Sequence, residues 1–491
     1  MSDEKRLPIK NMIHKANKGD IKSCFQLYDF YKNGKYVEKD ESIAQGYAKK
    51  ILNLFEKRTI KISKIKLIDY RGFISEEIKF SKGKVTVVVG ANGAGKTALL
   101  DAIQKCLSWL TRRIVSEGGS GDLIDLKDIR VGTEYATIIA QFLVENNTSF
   151  DIELSRAVEG SNLSRKNTLM EINLLSNIYK LANSQNINFN FPLMAYYSVE
   201  RSTDINAKDI NYLEHVNSDK PSSKFAGYAR SLNGTADFKL FFKWFKDIDD
   251  INNANTVNNE SNNGRGREII HFVKEAIYSF LPEFNNLRIQ RQPTLDLIIE
   301  KKNTTLSVLQ LSQGEKSLLA LVADISRRLV LLNPSLDNPL NGNGVVLIDE
   351  IDLHLHPAWQ QKVIPFLVKT FPNLQLIIST HSPQVLSTVD SSSIEILEDG
   401  KFYSAPKGIK GAESSRILKR IFGVDPRPLE DENTKMLKRY EDLVYKDRWE
   451  CEDALELRVK LDAIFSLEEP KLTELDLYIE NRTWEISLEK N

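Results

Sequence analysis

The sequence predicts an α/β fold: a mixed, largely buried sheet with an antiparallel subdomain, and helical N-terminal, inserted and C-terminal parts. Three observations predict it. The unbroken β-branched run Val85–Val89 and the largely apolar stretches Val345–Ile348 and Leu374–Ile378 suit strands of a mostly parallel sheet covered on both faces. The first run leads into a glycine-rich turn and then a helix-like stretch. Strand-like segments joined by turn residues lie between these runs and suggest antiparallel pairing.

Composition bounds the rest. A chain of 491 residues allows two to four domains. Lys plus Arg (67) balances Asp plus Glu (67), which excludes a wholesale polycation but leaves room for a local basic face. With 41% hydrophobic and 27% charged residues the chain reads as globular rather than disordered. Cys24, Cys106 and Cys451 are sparse and far apart, which fits a reducing compartment and offers neither a disulfide framework nor a zinc site. Met1–Arg6 is charged and opens no signal peptide. The apolar stretch Leu318–Leu332 is broken by Asp324, Arg327 and Arg328, so no membrane span is expected and a cytoplasmic location is.

Residues 1–58 read as helical and basic. Ala16, Gly19, Asp20, Phe25, Leu27, Tyr31, Gly34, Val37, Asp40, Ala44 and Tyr47 fall in an order that resembles one Sel-like repeat, a two-helix relative of the tetratricopeptide unit. A plain helical hairpin stands beside that reading. A single unit of either kind cannot bury its own apolar face, so it must pack on the rest of the chain or on a partner. Residues 59–204 are expected to form a first lobe. Its strands are Ile62–Ile68, Glu77–Phe80, Val85–Val89, the pair Glu134–Val144 and Ser149–Ala157 joined by Asn146-Asn147, and Phe191–Val199; a helix runs over Lys96–Leu110.

Residues 205–285 read as a helical insertion. Its Asn-rich stretch Asp249–Asn263 reads as a mobile surface loop. Phe238, Phe241, Phe242, Trp244 and Phe245, at helical spacing, read as core or interface rather than a base-stacking platform. A second lobe, 286–410, holds strands within Leu287–Glu300, a helix from Ser312 to Leu332, and the strands Val345–Ile348 and Leu374–Ile378. Residues 411–491 read as a helical, acidic, partner-binding region through Arg416–Phe422, Lys435–Tyr445 and Ala454–Phe465.

Four motifs carry chemistry. Gly90-Ala91-Asn92-Gly93-Ala94-Gly95-Lys96-Thr97 matches the phosphate-loop pattern. Its glycines let consecutive N–H groups cradle phosphate oxygens, and the predicted ATP contacts run over Gly90, Asn92, Gly93, Ala94, Gly95, Lys96, Thr97 and Ala98. Lys96 brings positive charge to the β- and γ-phosphates, the Thr97 hydroxyl is placed for Mg²⁺, and the helix that starts there adds its dipole. Val345–Glu350 matches a Walker B strand: Asp349 can hold Mg²⁺ and Glu350 can polarise the attacking water. At Leu311–Ser317, Ser312 can cap the next helix or bind an anion with the adjacent N–H groups. Ser379-Thr380-His381-Ser382-Pro383 follows the third buried strand. His354 and His356 lack a third metal ligand by spacing, and Pro357 suits the first turn of a helix.

Leu311–Ser317 resembles the signature motif of the ATP-binding-cassette (ABC) class, with Gln313 and Glu315-Lys316 where transporters often carry Gly and Gln. That resemblance implies that Ser312, Gly314 and Glu315 meet ATP held by an opposite subunit, so dimerisation completes the site. By motif order His381 resembles the switch histidine that contacts the γ-phosphate, and Asp352 falls in the loop that crosses the dimer interface. Asp69–Phe73 resembles the opening strand-turn of RecF, SMC and OLD-type ATPases. Asp349–Gln360 and Phe422–Pro428 look like the OLD-related ATPases of bacterial anti-phage defence, the PtuA group of Septu and retron systems; the resemblance covers about residues 60–490.

The resemblance implies an ABC-type P-loop ATPase head using ATP and Mg²⁺, with catalytic Lys96, Glu350 and His381. It further implies a homodimer or higher oligomer and a partner HNH endonuclease of PtuB type. In the retron form it implies a reverse transcriptase with its msDNA and non-coding RNA. Tyr196–Arg201 falls in the Q-loop region and holds no glutamine. OLD nucleases carry a C-terminal Toprim domain; no Asp-x-Asp strand end follows Gly411, so no intrinsic nuclease is expected. Two alternatives remain open at this point: an SMC- or RecF-like DNA-repair ATPase, and a nucleotide-sensing scaffold with little turnover.

Overall fold

The structure, a computed structural model, describes residues 3–55, 58–80, 83–144, 148–161, 166–202, 224–236, 238–257, 264–466 and 468–489. The chain divides into two compact units, Met1–Ala412 and Glu413–Asn491.

Three helices open the first unit: α1 (Asp3–Asn17), α2 (Ile21–Asn33) and α3 (Glu41–Phe55). Asp20 caps α2 by accepting from the Ser23 N–H, and Gly34 ends it in the left-handed region at φ 69°. Cys24, Leu27, Ala44, Ala48 and Ile51 form the buried seam of the α2–α3 hairpin. There follow β1 (Ile60–Tyr70), β2 (Phe73–Lys79), β3 (Val85–Val89), α4 (Lys96–Val115), β4 (Tyr135–Val144), β5 (Thr148–Ala157), α5 (Met170–Gln185) and β6 (Leu193–Tyr197). The hairpin finds its missing surface within the chain: Phe55 meets Tyr179 of α5 edge-on at 4.7 Å, and Lys22 pairs with Glu171 at 2.6 Å.

β2-β1-β4-β5 form an antiparallel sheet. The β1–β4 register shifts between Ile62 and Lys64. The backbone groups freed at that bulge are met by buried Gln375, which accepts from the Ile62 N–H at 2.8 Å and donates to its carbonyl at 2.9 Å.

The insertion supplies α6 (Phe238–Val257) and α7 (Gly264–Phe280). Phe238, Phe241, Phe242, Trp244 and Phe245 are all buried, as core residues. The expected loop at Asp249–Asn263 is corrected here: α6 continues through Asp249 to Val257. Ile248 and Asn252 are buried, and Arg291 pairs with Asp249 and Asp250 at 2.6 and 2.5 Å. Burial and ion pairing outweigh the weak helix propensity of asparagine. Residues 258–263 lie outside the described residues.

β7 (Phe284–Gln290), β8 (Asp296–Lys301) and β9 (Thr304–Ser307) make a small antiparallel sheet, followed by α8 (Gln313–Leu332). β10 (Gly344–Ile348), α9 (Pro357–Thr370), β11 (Leu374–Ser379), α10 (Pro383–Leu386), β12 (Ile394–Glu398) and β13 (Lys401–Ser404) complete the unit. The central sheet has the order β13-β12-β3-β11-β10-β6 and is parallel except at the β12–β13 edge. β10 and β11 are buried at every position; β10 is apolar throughout, whereas β11 also buries Gln375 and Ser379 among its apolar residues. Charges that interrupt the apolar run of α8 are buried: Asp324 takes Arg327 at 2.9 Å, Arg328 at 2.7 Å and the Tyr197 hydroxyl at 2.9 Å. Arg328 also donates to the Gly227 and Ala229 carbonyls, so this network pins α8 to β6 and to the segment before α6.

The second unit is helical: α11 (Ser414–Ile421), α12 (Glu432–Tyr445), α13 (Glu452–Phe465) and α14 (Pro470–Glu489). Its core joins Leu437, Tyr440, Val444, Leu457, Leu461 and Leu475. No strand occurs among its described residues. No described helix of the chain is long and apolar enough to cross a membrane.

Candidate nucleotide site

Register places the site. Ser379 pairs with Val88, and Ile348 with Ile378, so β3, β10 and β11 deliver their C-terminal ends side by side. Ligands of open α/β sheets sit at such ends.

The loop after β3 accepts only glycine at two points. A Cβ on Gly90 would lie 2.2 Å from the Leu397 carbonyl oxygen. Gly95 sits at φ 112°, and a Cβ there would lie 3.1 Å from the Phe73 ring. Phe73, from the Asp69–Phe73 turn, stacks on Phe402. No side chain caps α4, whose first-turn N–H groups are thereby left for an anion.

Lys96 is buried and donates to the carbonyls of Gly90 and Ala91 at 3.0 Å each. Burial holds its ammonium below the usual lysine value, against the opposing pull of Glu350, Asp349 and Asp352. The Thr97 hydroxyl donates to Asp349 Oδ2 at 2.7 Å. Asp349 is fully buried, and its Oδ1 accepts from the Ser379 hydroxyl. The same Ser379 oxygen accepts from the Glu350 N–H at 2.8 Å. Glu350 stands at φ 45°, a left-handed conformation costly for a side chain with a Cβ. Thr380 donates its hydroxyl to Asp352, which also accepts the His381 N–H at 3.4 Å. Burial, and then Lys96, hold the His381 imidazole below its ordinary value, while Glu350, Asp352 and Asp349 oppose that shift.

The structure thus brings Lys96, Thr97, Asp349, Glu350 and His381 together around the Gly90–Gly95 loop. Ser312, Gly314 and Glu315 are engaged elsewhere. The Ser312 hydroxyl donates to Glu315 at 2.8 Å, and Glu315 accepts the Ser312 N–H at 3.0 Å, a capping box at the start of α8. Lys301 pairs with Glu315 at 2.5 Å. Gly314 backs onto the loop after β10, where a Cβ would lie 2.5 Å from the His354 carbonyl oxygen.

Thr97 and Asp349 offer adjacent hard oxygens, a set that suits Mg²⁺ shared with phosphate and water. Among the described residues no group of three or more His, Cys, Asp or Glu is poised to hold a metal by itself. His356 is spent on capping α9, its Nδ1 accepting the Ala358 N–H, and Pro357 opens that helix.

Motif reading gave no role to three sets of residues. Ser379 and Thr380 brace the acidic loop; the available signal was a pair of hydroxyls directly after a buried strand. Gln360 donates to the Leu355 carbonyl at 2.9 Å and accepts from Ser382 at 2.7 Å, joining the two loops. Arg71 binds Asp101 and Asp128 at 2.8 and 2.9 Å, and Tyr196 donates to Asp101 at 3.0 Å. These partners are distant in sequence and no motif announces them.

Comparison with known proteins decides the family. The family described as "AAA domain, putative AbiEii toxin, Type IV TA system" matches residues 85–387, from the first residue of β3 to just past α10. The "Retron Ec83 probable ATPase" of Escherichia coli is 40% identical over 99% of this chain and 100% of its own length. The chain belongs to the PtuA-like retron and Septu ATPases. The "Retron Vc95 probable ATPase" of Vibrio cholerae serotype O1 biovar El Tor is 34% identical over 93% of this chain and 98% of its own. A "Septu protein PtuA" of Bacillus thuringiensis is 29% identical over 29% of this chain and 39% of its own. This PtuA-like chain has the predicted α/β architecture: mixed central sheet, antiparallel subdomain and helical additions.

Proposed function

We propose that the chain binds and hydrolyses ATP, dimerises around it, and regulates a partner HNH nuclease in anti-phage defence. The observation that carries hydrolysis is Glu350: its backbone is left-handed with its N–H held by Ser379, and its carboxylate lies beside Asp349 within electrostatic reach of Lys96 and His381. The Gly90–Ala98 loop binds the phosphates and Lys96 leaves its loop carbonyls for them. Thr97 and Asp349 would hold Mg²⁺, which withdraws charge from the phosphate oxygens when bound. Glu350 accepts the proton of the attacking water, and His381 donates a ring N–H to a γ-phosphate oxygen.

Ser312 and Gly314 act on the nucleotide of the opposite subunit. Exposed apolar side chains on the helical unit, Leu455, Val459, Leu477 and Trp484, support a partner-binding role there. The closed box on Ser312 favours one second reading, a nucleotide-sensing scaffold with little turnover by the lone chain.

Glu350→Gln is expected to keep ATP binding, abolish turnover and trap a dimer; wild-type turnover in that variant would overturn the role given to Glu350. Wild-type turnover near zero would favour the scaffold. For the partner, affinity capture from the host with ATP and Mg²⁺ is expected to recover an HNH nuclease, with or without a reverse transcriptase and its DNA. Recovery of the chain alone on chromosomal DNA would favour an SMC- or RecF-like repair ATPase.

A further inference from the structure

We infer that the cleft between the N-terminal helices and the start of β5 binds the phosphodiester backbone of a single-stranded nucleic acid. This deepens the partner half of the reading above by giving nucleic acid a named surface, and it shares no residue with the ATP site.

The cleft has a volume of about 540 Å³ and is lined by Lys15, Lys18, Lys22, Arg58, Thr148 and Ser149. Among the described residues of its lining the one acid, Asp20, is committed to capping α2. Lys22 is partly neutralised by Glu171 and lies 4.7 Å from the Phe150 ring centroid, a placement that fixes its height in the wall. Lys15 and Lys18 are exposed and make no ion pair among the described residues. Lys50, bonded to Asn17 at 3.2 Å, extends the same positive field beyond the cleft. A chain of zero net charge thus concentrates cations where α1, α2 and β5 meet.

The chemistry selects among anions. Protein interfaces deplete lysine and centre on buried apolar or aromatic anchors. Here the only apolar side chain among the described lining residues is Leu54. Lysines set beside hydroxyls are how proteins hold a sugar–phosphate backbone, with little reading of bases. The volume admits a strand a few nucleotides long and is too small for a duplex to enter. DNA and RNA share the backbone, so the test carries both.

The full chain would be titrated into a labelled 20-mer of single-stranded DNA, and separately of RNA, from about 50 to 200 mM salt. Up to four phosphate contacts predict a log–log salt slope of about −2 to −3, at roughly −0.7 per contact. Lys15→Ala with Lys18→Ala should weaken binding by about tenfold and flatten the slope by about 1.4. Lys15→Arg with Lys18→Arg should restore both. Both positions are exposed, so the fold and ATP turnover should be unchanged. Tighter binding of RNA or of DNA identifies the source of the backbone. No binding at low salt, or an affinity and slope that ignore the alanine pair, would overturn the site. So would a polyglutamate peptide that binds more tightly than either oligonucleotide, which would make the surface a protein dock. Loss of turnover in wild type with oligonucleotide binding intact would sink the ATPase reading and leave this one standing.

Discussion

Two helix N-termini dominate the ATPase head, and they end in opposite ways. α4 starts from Gly95 with no side-chain cap, so its amides and the buried Lys96 wait for an external anion. α8 starts from Ser312 with a closed capping box, and its anion is the chain's own Glu315, itself held by Lys301. Both are suited by dipole to negative charge. The difference teaches that an anion site is set less by the helix end than by whether the sequence supplies its own carboxylate three residues in.

The largest expected effect tests whether chemistry belongs to the open end alone. Glu350→Gln should lower ATP turnover by about 10²- to 10⁴-fold with nucleotide affinity retained. Lys96→Ala comes next. It should weaken ATP binding by about 10- to 100-fold in calorimetry, the loss of a charge-assisted contact, with thermal stability little changed. If Lys96→Ala melts the protein instead, the open end is a structural cap and the contrast with α8 collapses.

The closed end should respond in the opposite currency. Ser312→Ala removes a cap and should cost about 1 kcal/mol in denaturant unfolding, with ATP affinity for the α4 site of the monomeric chain unchanged. Loss of affinity for the isolated chain would place Ser312 in the same site as Lys96. Ser379→Ala lies between the two ends: it unbraces Asp349 and the left-handed Glu350 together. Turnover should fall by about tenfold or more while ATP still binds, since one hydrogen bond to each is lost.

The same contrast explains how much was legible in sequence. The open end was readable because Gly90, Gly93, Gly95 and Lys96 stand at one short, fixed spacing, although the neighbours that demand glycine at two of those positions, Leu397 and Phe73, come from distant strands. The three buried strands were readable because a sheet covered on both faces needs runs dominated by β-branched and apolar residues. At the closed end Ser312 was readable as a cap or as a ligand, but the partner that decides, Lys301, comes from another strand. Arg71 with Asp101 and Asp128, and the buried set Asp324, Arg327, Arg328 and Tyr197, are long-range pairings that no local pattern announces. The Asn-rich end of α6 failed for the same reason: Arg291, from the end of β7, supplies what asparagine propensity does not.

The smallest effect sharpens the boundary of the open site. His381 is held below its ordinary 6.5 first by burial and then by Lys96. The unfolded chain therefore takes up this proton at a higher pH than the folded one. The stability that depends on a neutral His381 is complete above about pH 6.5 and is lost as pH falls through the lower native value. Wild type should thus lose slightly more stability than His381→Gln on acidification below that point. An NMR titration of the imidazole should give a midpoint below 6.5, moving up towards it in Lys96→Ala, since one positive neighbour is removed while the burial remains. A wild-type midpoint at or above 6.5, or one indifferent to Lys96, would take His381 out of the electrostatic field of the open helix end. The γ-phosphate role assigned to it would fall with that result, whereas Lys96, Thr97 and Asp349 would keep theirs.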